Sequence, residues 1–399
     1  MTNMSYAATY LFEKTADLDK TRLLQIQTNL EDILFDYSRR SEKDGVVKTL
    51  LLNDAICDAS GKDGNVCTAC TSSCESSAIF FDTVSKHISI SFAHCSDCQK
   101  CVSVCPSGAL EDSAYNKDAI VAALEACDGA NVLIATESEL ATYTATIPSN
   151  TVIFCVSNHA FLNEMYLSLF AFKTGGAVYF VSKDTLPVLL QQNIQNTNEI
   201  FKTFGKQAIL FLSDIQDAKK SFEPIEKRFE NSSLRVALSE GFKSLGDFGG
   251  TNFVGSKVFS SLKVDSSCTL CMGCAYVCKS GAFYADESQK ALTLNESLCT
   301  GCGYCESICP EKSIAISQGV FKSEKSYFEF GVVAKDEIFC CVECGKPFAT
   351  SKAIGKVAAA MSALFLDEDK KRTLYCCADC KPKIMLKEFA ERSLSDAAR

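Results

Sequence analysis

Apolar positions gather into four short runs in the middle of the chain, at 131–136, 151–157, 177–183 and 207–213. All four are rich in β-branched and aromatic residues and lack a period-two polar face, the pattern of strands buried on both sides. Between them, stretches near 159–172, 186–204 and 214–229 have helical spacing, as does 116–127 through Ile120, Val121 and Leu124. Strands alternating with helices predict a parallel sheet covered on both faces, here over 117–240. Ligands of such sheets sit at the carboxyl ends of the strands, where Ser157, Asn158 and His159 follow one run and Ser213 and Asp214 another. No G-x-G-x-x-G, phosphate loop or acidic partner at dinucleotide spacing is present, so a docking or structural role is expected. Gly175–Gly176 is read as a helix end. Helical periodicity also runs through 17–40 (Leu23, Leu24, Ile26, Leu30, Ile33, Leu34) and 352–366, and the five glycines of 241–261 read as a connector.

Composition changes the picture more than pattern does. The 399 residues include 24 cysteines, three histidines and no tryptophan. A chain this long does not need disulfide staples. Its start lacks a basic and then apolar export signal, and no apolar run reaches membrane-spanning length, so a cytoplasmic location is expected. Thiols stay reduced there, which makes metal ligation the expected use of the cysteines. With 40 basic against 49 acidic residues the formal charge is −9, so nucleic acid is not expected as a partner.

The cysteines are in three zones, with Cys127 and Cys155 apart from them as buried structural thiols. One zone reads Cys268-x2-Cys271-x2-Cys274-x3-Cys278, then Cys299-x2-Cys302-x2-Cys305-x3-Cys309-Pro310. An earlier zone reads Cys67-x2-Cys70-x3-Cys74, then Cys95-x2-Cys98-x2-Cys101-x3-Cys105-Pro106. Cys74 precedes Cys95 by 21 positions, as Cys278 precedes Cys299, so the zones align without a gap. That alignment sets Gly64 opposite Cys268, and the first unit has lost one thiol.

Such runs are the ligand pattern of two-cluster ferredoxins: a tight loop wraps three corners of a cubane, and the fourth cysteine of each run serves the other cluster. The expected sets are Cys268, Cys271, Cys274 and Cys309; Cys299, Cys302, Cys305 and Cys278; and Cys95, Cys98, Cys101 and Cys74. The fourth site keeps Cys67, Cys70 and Cys105. Cys57 is the nearby spare thiol, the alternatives being a three-iron cluster or an empty site.

Residues 56–112 and 262–318 thus resemble bacterial-type dicluster ferredoxin domains, and the chain as a whole resembles a bacterial polyferredoxin. The resemblance covers under a third of the chain. It implies [4Fe-4S] clusters, electron transfer, and a redox enzyme or carrier protein as partner, such as a formate dehydrogenase or hydrogenase.

At the C-terminus, Cys341-x2-Cys344-Gly345 and Cys377-x2-Cys380 form two knuckles suited to a closed tetrahedral Zn²⁺ site. Cys340 and Cys376 adjoin them, which leaves the ligand set ambiguous and mononuclear iron or another cluster as alternatives. Lys346, Lys352, Lys370, Lys371, Arg372, Lys381 and Lys383 make this tail basic, read as a solvated face beside an anionic site.

The expected architecture is therefore α+β and multidomain: an N-terminal region (1–55), ferredoxin-like (βαβ)2 dicluster domains at 56–112 and 262–318, the α/β parallel-sheet insert (117–240), a glycine-rich linker (241–261), and a zinc-ribbon-like module (325–399). Three histidines, His87, His94 and His159, are too few for a hydrolytic zinc or His-carboxylate iron centre, so an electron carrier is expected before a self-contained catalyst. A scaffold or maturation factor using structural clusters is the alternative.

Overall fold

A computed structural model describes residues 50–62, 66–126, 130–143, 147–148, 150–184, 186–212, 220–225, 233–286, 288–361, 364 and 368–387. The helix expected at 17–40, Gly64, Cys127, Ser213 and Asp214 lie outside them. The chain divides into two compact units, one of 1–261, 295–303 and 316–329, the other of 262–294, 304–315 and 330–399.

In the first unit the apolar runs form a four-stranded sheet. Its strands are β1 (Asn131–Ala135), β2 (Thr151–Cys155), β3 (Val178–Phe180) and β4 (Ile209–Phe211), in the order β2-β1-β3-β4. All three pairings are parallel. Such pairing requires crossovers, supplied by α2 (Glu137–Thr142), α3 (Glu164–Thr174) and α4 (Val188–Lys202), with α1 (Lys117–Ala126) ahead of β1. Every residue of α3 is buried, which marks an internal helix rather than an amphipathic one. Asn163 caps it by accepting from the Met165 and Tyr166 amides, and Gly175, at φ 72°, ends it. Glycine is required there, because a Cβ would fall 2.3 Å from the Phe222 carbonyl oxygen.

Two expectations fail in this unit. The stretch 214–229 is not one helix: its described part, 220–225, is irregular and returns over the end of α3, with the Phe222 amide donating to Gly175 O and the Ile225 amide to Phe172 O. Nor is 241–261 a connector. Gly241 lies inside α5 (Leu234–Leu245), where its missing side chain makes room for the Phe172 ring, and Asn252–Val254 pairs antiparallel with Val320–Lys322. Gly241 there serves close packing rather than a linker. Around α5 the rings of Phe172, Phe201, Phe204, Phe242, Phe259, Phe321 and Phe328 pack edge-on and offset into one aromatic core. Glu164, buried, accepts from Asn196 Nδ2 (2.7 Å), Ser256 Oγ (2.5 Å) and the Lys257 amide (3.0 Å), which pins the turn leading to Val258.

The cysteine-rich segments repeat one element order, strand-helix-strand-strand-helix-strand. In the first copy Leu50–Leu52 pairs with Leu110–Asp112, Ile79–Asp82 forms a hairpin with His87–Ile90, and the short helices are Ala69–Ser73 and Lys100–Ser103. In the second, Ser260–Val264 pairs with Ile314–Gln318, Phe283–Asp286 with Ala291–Leu294, and the helices are Gly273–Val277 and Tyr304–Ile308.

In the second unit Gly331–Lys335 adds a third strand beside Ala291–Leu294. The hairpin of Ile338–Cys340 with Pro347–Thr350 leads into α6 (Ser351–Met361). No helix among the described residues is long and apolar enough to cross a membrane.

Candidate iron–sulfur and metal sites

Three cysteine loops share one backbone shape. The second residue after the first cysteine and the residue after the second cysteine both have positive φ: Asp97 and Gln99, Leu270 and Met272, Gly301 and Gly303, all between 54° and 79°. Left-handed residues alternating along a loop turn successive N–H groups toward its inside, a concavity suited to an anionic centre. Non-glycine residues accept this costly conformation in two of the loops. The fourth run differs: Thr68, which aligns with Met272, has φ −118°.

In the second unit Cys268, Cys271, Cys274 and Cys309 line a single cavity whose other walls include Val264, Leu292, Ile308 and Ile314. Burial, then the charges of Cys268 and Cys271, push the Cys274 thiol up to about 12. In the first unit Cys57, Cys70 and Cys105, all buried, likewise share one field with half-buried Cys67. Burial, offset in part by the Ala69 amide, and then the charges of Asp58, Cys105 and Cys57 hold Cys67 at about 11; burial and then Cys105, Cys67 and Cys57 hold Cys70 at about 12. Cys101 reaches about 12 through burial and then the charges of Cys98 and Cys95. A nucleophilic or redox-sensing cysteine needs a depressed pKa and access. Buried thiols that oppose each other's ionisation instead fit ligands of a cationic centre, which ionises them outright. At Cys67, Cys70, Cys101 and Cys274 the thiols therefore have the character that ligands of a 4Fe-4S cluster need. Cys98 and Cys271, the second cysteines of their loops, are exposed.

Serine hydroxyls beside the remote cysteines were not anticipated. Ser76 Oγ lies 3.5 Å from Cys74 Sγ, Ser107 3.6 Å from Cys105, Ser280 3.4 Å from Cys278 and Ser313 3.3 Å from Cys309. The Ala78 amide also donates to Cys74 Sγ (3.2 Å) and the Gly301 amide to Cys299 Sγ (3.4 Å). At Cys309 burial raises the pKa, and the hydroxyl and amide of Ser313 with neighbouring amides overcome it and lower the thiol. A serine two residues after three of the four remote cysteines is the signal that could have found them.

At the C-terminus the sulfurs of Cys341, Cys344, Cys377 and Cys380 all lie within 4.8 Å of one another. Cys344 and Cys377 are 3.7 Å apart, against about 3.8 Å between ligands of a tetrahedral ion with Zn–S bonds of about 2.3 Å. Gly345, at φ 69°, makes the first knuckle, its amide donating to Cys341 O, and the Cys377 amide donates to Cys341 Sγ. Burial pushes Cys341 up, but the amides of Cys377, Cys344 and Glu343 outweigh it and hold the thiol at about 6. Cys380, donating to Cys344 and its neighbours, is raised to about 12. Of the other two thiols, Cys340 is exposed outside the group, and Cys376 turns its thiol to Arg372 O. Basic residues of the tail are engaged locally, Lys346 with Asp379 and Arg372 with Glu343. Lys352 donates to Ser266 O.

The sheet end in the insert is filled by its own polar groups. His159 is buried with Nε2 3.2 Å from Glu139 Oε2, and Glu139 also closes a capping box with Thr136 after β1. The Ser157 amide donates to Tyr115 Oη, while Ala160 uses Asn158 Oδ1. His87 contacts Asp54 at 3.1 Å, and His94 lies 3.1 Å from Ser91 Oγ.

Two segments, 65–109 and 267–313, match the family model of the 4Fe-4S dicluster domain. Over 57 residues the chain is 35% identical to proteins described as archaeal-type glutamate synthase [NADPH] in Thermotoga maritima and Thermotoga sp. strain RQ2, covering 14% of this chain and 11% of those. Over 114 residues it is 30% identical to indolepyruvate oxidoreductase subunit IorA of Thermococcus kodakarensis, covering 28% of this chain and 17% of that one. The chain thus spans less than a fifth of the length of these relatives, and what it shares with a named family is a 4Fe-4S dicluster domain present twice.

Proposed function

We propose that the protein is an electron-transfer protein carrying four [4Fe-4S] clusters, working with a larger redox enzyme, a formate dehydrogenase being one such enzyme. Cys268, Cys271, Cys274 and Cys309 hold one cluster, Cys299, Cys302, Cys305 and Cys278 a second, Cys95, Cys98, Cys101 and Cys74 a third, and Cys67, Cys70, Cys105 and Cys57 the fourth. Cys341, Cys344, Cys377 and Cys380 bind Zn²⁺ as a structural ribbon. When bound, each cluster supplies a one-electron centre, its potential set by burial and by hydrogen bonds to sulfur. The chain's own part is to ligate, to bury, and to aim amides and hydroxyls at the thiolates. Exposed Cys98 and Cys271 are the places where partners exchange electrons.

The observation that carries this reading is the cavity enclosed by Cys268, Cys271, Cys274 and Cys309 beneath a loop of inward-turned amides. Anaerobic titration with dithionite, followed by EPR, tests it. Reversible signals from reduced clusters are expected, and clusters that never reduce in a physiological range leave only a structural role.

A further inference from the structure

Arg235 is the best-placed charge in the chain with no assigned task. It lies near the start of α5 and is 2% exposed. Four main-chain carbonyls surround its guanidinium: Nη1 donates to Ser297 O (3.2 Å) and Cys299 O (3.1 Å), Nη2 to Val258 O (2.5 Å) and to Pro106 O. Nε has no hydrogen-bond partner among the described residues, and the Phe259 ring lies 5.6 Å from Cζ. No carboxylate pairs with it among the described residues; Asp58 adds to its field without an ion pair. A charge of this kind buried without a counterion is costly. Its acceptors explain the placement. Pro106 follows Cys105 directly, and Cys299 opens its own loop, so one guanidinium joins a remote cysteine of the first dicluster segment to a loop cysteine of the second.

We propose that Arg235 is the electrostatic junction between the two dicluster segments, its counterions being the iron–sulfur centres held by Cys105 and Cys299. This rests on the electron-transfer reading above. A [4Fe-4S] centre with four thiolates is anionic and gains a further negative charge on reduction. A fixed cation at the junction therefore favours the reduced state of both flanking centres and keeps their potentials close, as passage between segments requires. The path is short: Cys105, the Pro106 carbonyl, the guanidinium, the Cys299 carbonyl and Cys299. Arg235 is a positioning residue, acting on the centres through field and hydrogen bonds without ligating them.

The test uses the full chain, purified anaerobically with its iron, as parent, Arg235→Gln and Arg235→Lys. Iron and sulfide are counted, and each EPR signal is titrated against potential. In Arg235→Gln, at unchanged iron, the two flanking centres are expected to show a reduced-to-oxidised ratio about tenfold lower at the parent's midpoint, or about 59 mV for a one-electron couple. Arg235→Lys, which keeps the charge, is expected to stay within twofold of the parent. Packing alone predicts no change of potential at full iron content, so a glutamine variant within twofold of the parent overturns the junction. Should Arg235→Gln fail to hold its iron, a tenfold drop in Arg235→Lys overturns the proposal, and a lysine variant within twofold passes the decision to spin coupling across the junction in the fully reduced parent. In that case, and if neither variant holds iron, such coupling supports the proposal, and magnetically isolated segments overturn it. Absence of any reversible signal in the parent sinks the electron-transfer reading itself, whatever stands at position 235.

Discussion

The loop from Cys268 to Cys274 and the run from Cys67 to Cys74 occupy matching places in the two repeats, yet only the first keeps the shared loop shape. Leu270 and Met272 take left-handed backbone conformations there, and Cys268, Cys271 and Cys274 reach one cavity with Cys309. In the other run Thr68 is not left-handed, and the thiol that joins Cys67, Cys70 and Cys105 in one field is Cys57, from upstream. In the first repeat an upstream segment thus brings a thiol, Cys57, to the three cysteines of a run that lacks the loop shape. The feature the two sites share is one buried cysteine, Cys274 or Cys70, whose ionisation is opposed by burial and by the thiols around it.

Removing sulfurs from each site gives the largest effects. Cys274→Ala is expected to cost about 4 Fe per chain by iron analysis, because a buried corner of the cubane loses its ligand. An unchanged count would detach the cavity from iron. In Cys57→Ala the fourth site is expected to lose about 1 Fe, with a three-iron EPR signal in the oxidised protein, or all of its roughly 4 Fe. Parent iron content without that signal would mean that Cys57 is only a buried thiol.

The C-terminal group sharpens the contrast, since its sulfurs already stand at the spacing of a single ion. Cys377→Ser is expected to abolish zinc, from about 1 per chain to none, while Cys376→Ser retains it. Equal loss in both would put Cys376 in the ligand set. Acidification reads the same site. The Cys341 thiol is depressed in the folded chain, so its contribution is complete above the ordinary thiol range near 9 and disappears as pH falls through about 6. Zinc release to a colorimetric chelator should therefore rise as pH falls and protons compete for the thiolates; release that is independent of pH would contradict it.

Smallest is the hydroxyl effect. Ser280→Ala removes one hydrogen bond to Cys278 and is expected to lower the potential of the centre it serves by an amount worth about 1 kcal/mol, at full iron content. An unshifted EPR titration would make the serine a turn residue only.

The apolar runs announced the four parallel strands because a strand buried on both faces has little freedom in composition. Cysteine spacing announced the two 4Fe-4S dicluster segments for the same reason, since soft-ligand geometry tolerates few alternatives. Other features were illegible because they depend on tertiary placement. Arg235 is a lone arginine on an ordinary helix until Pro106 O and Cys299 O are seen around it. Gly241 belongs by sequence to a glycine-rich connector, whereas its task is to admit Phe172. Cys340 and Cys376 are equivalent to their neighbours in sequence and separated from them only by which way each side chain points. His159, a candidate ligand contact by position, is a buried partner of Glu139.

Iron, acid-labile sulfide and zinc per chain, measured on the full chain purified without oxygen, test the central claim most directly. Four cubanes and one ribbon require about 16 Fe, about 16 sulfide and about 1 Zn. A count of about 12 Fe with matching sulfide would empty the Cys57 site alone, and a chain holding no acid-labile sulfide would contradict the account.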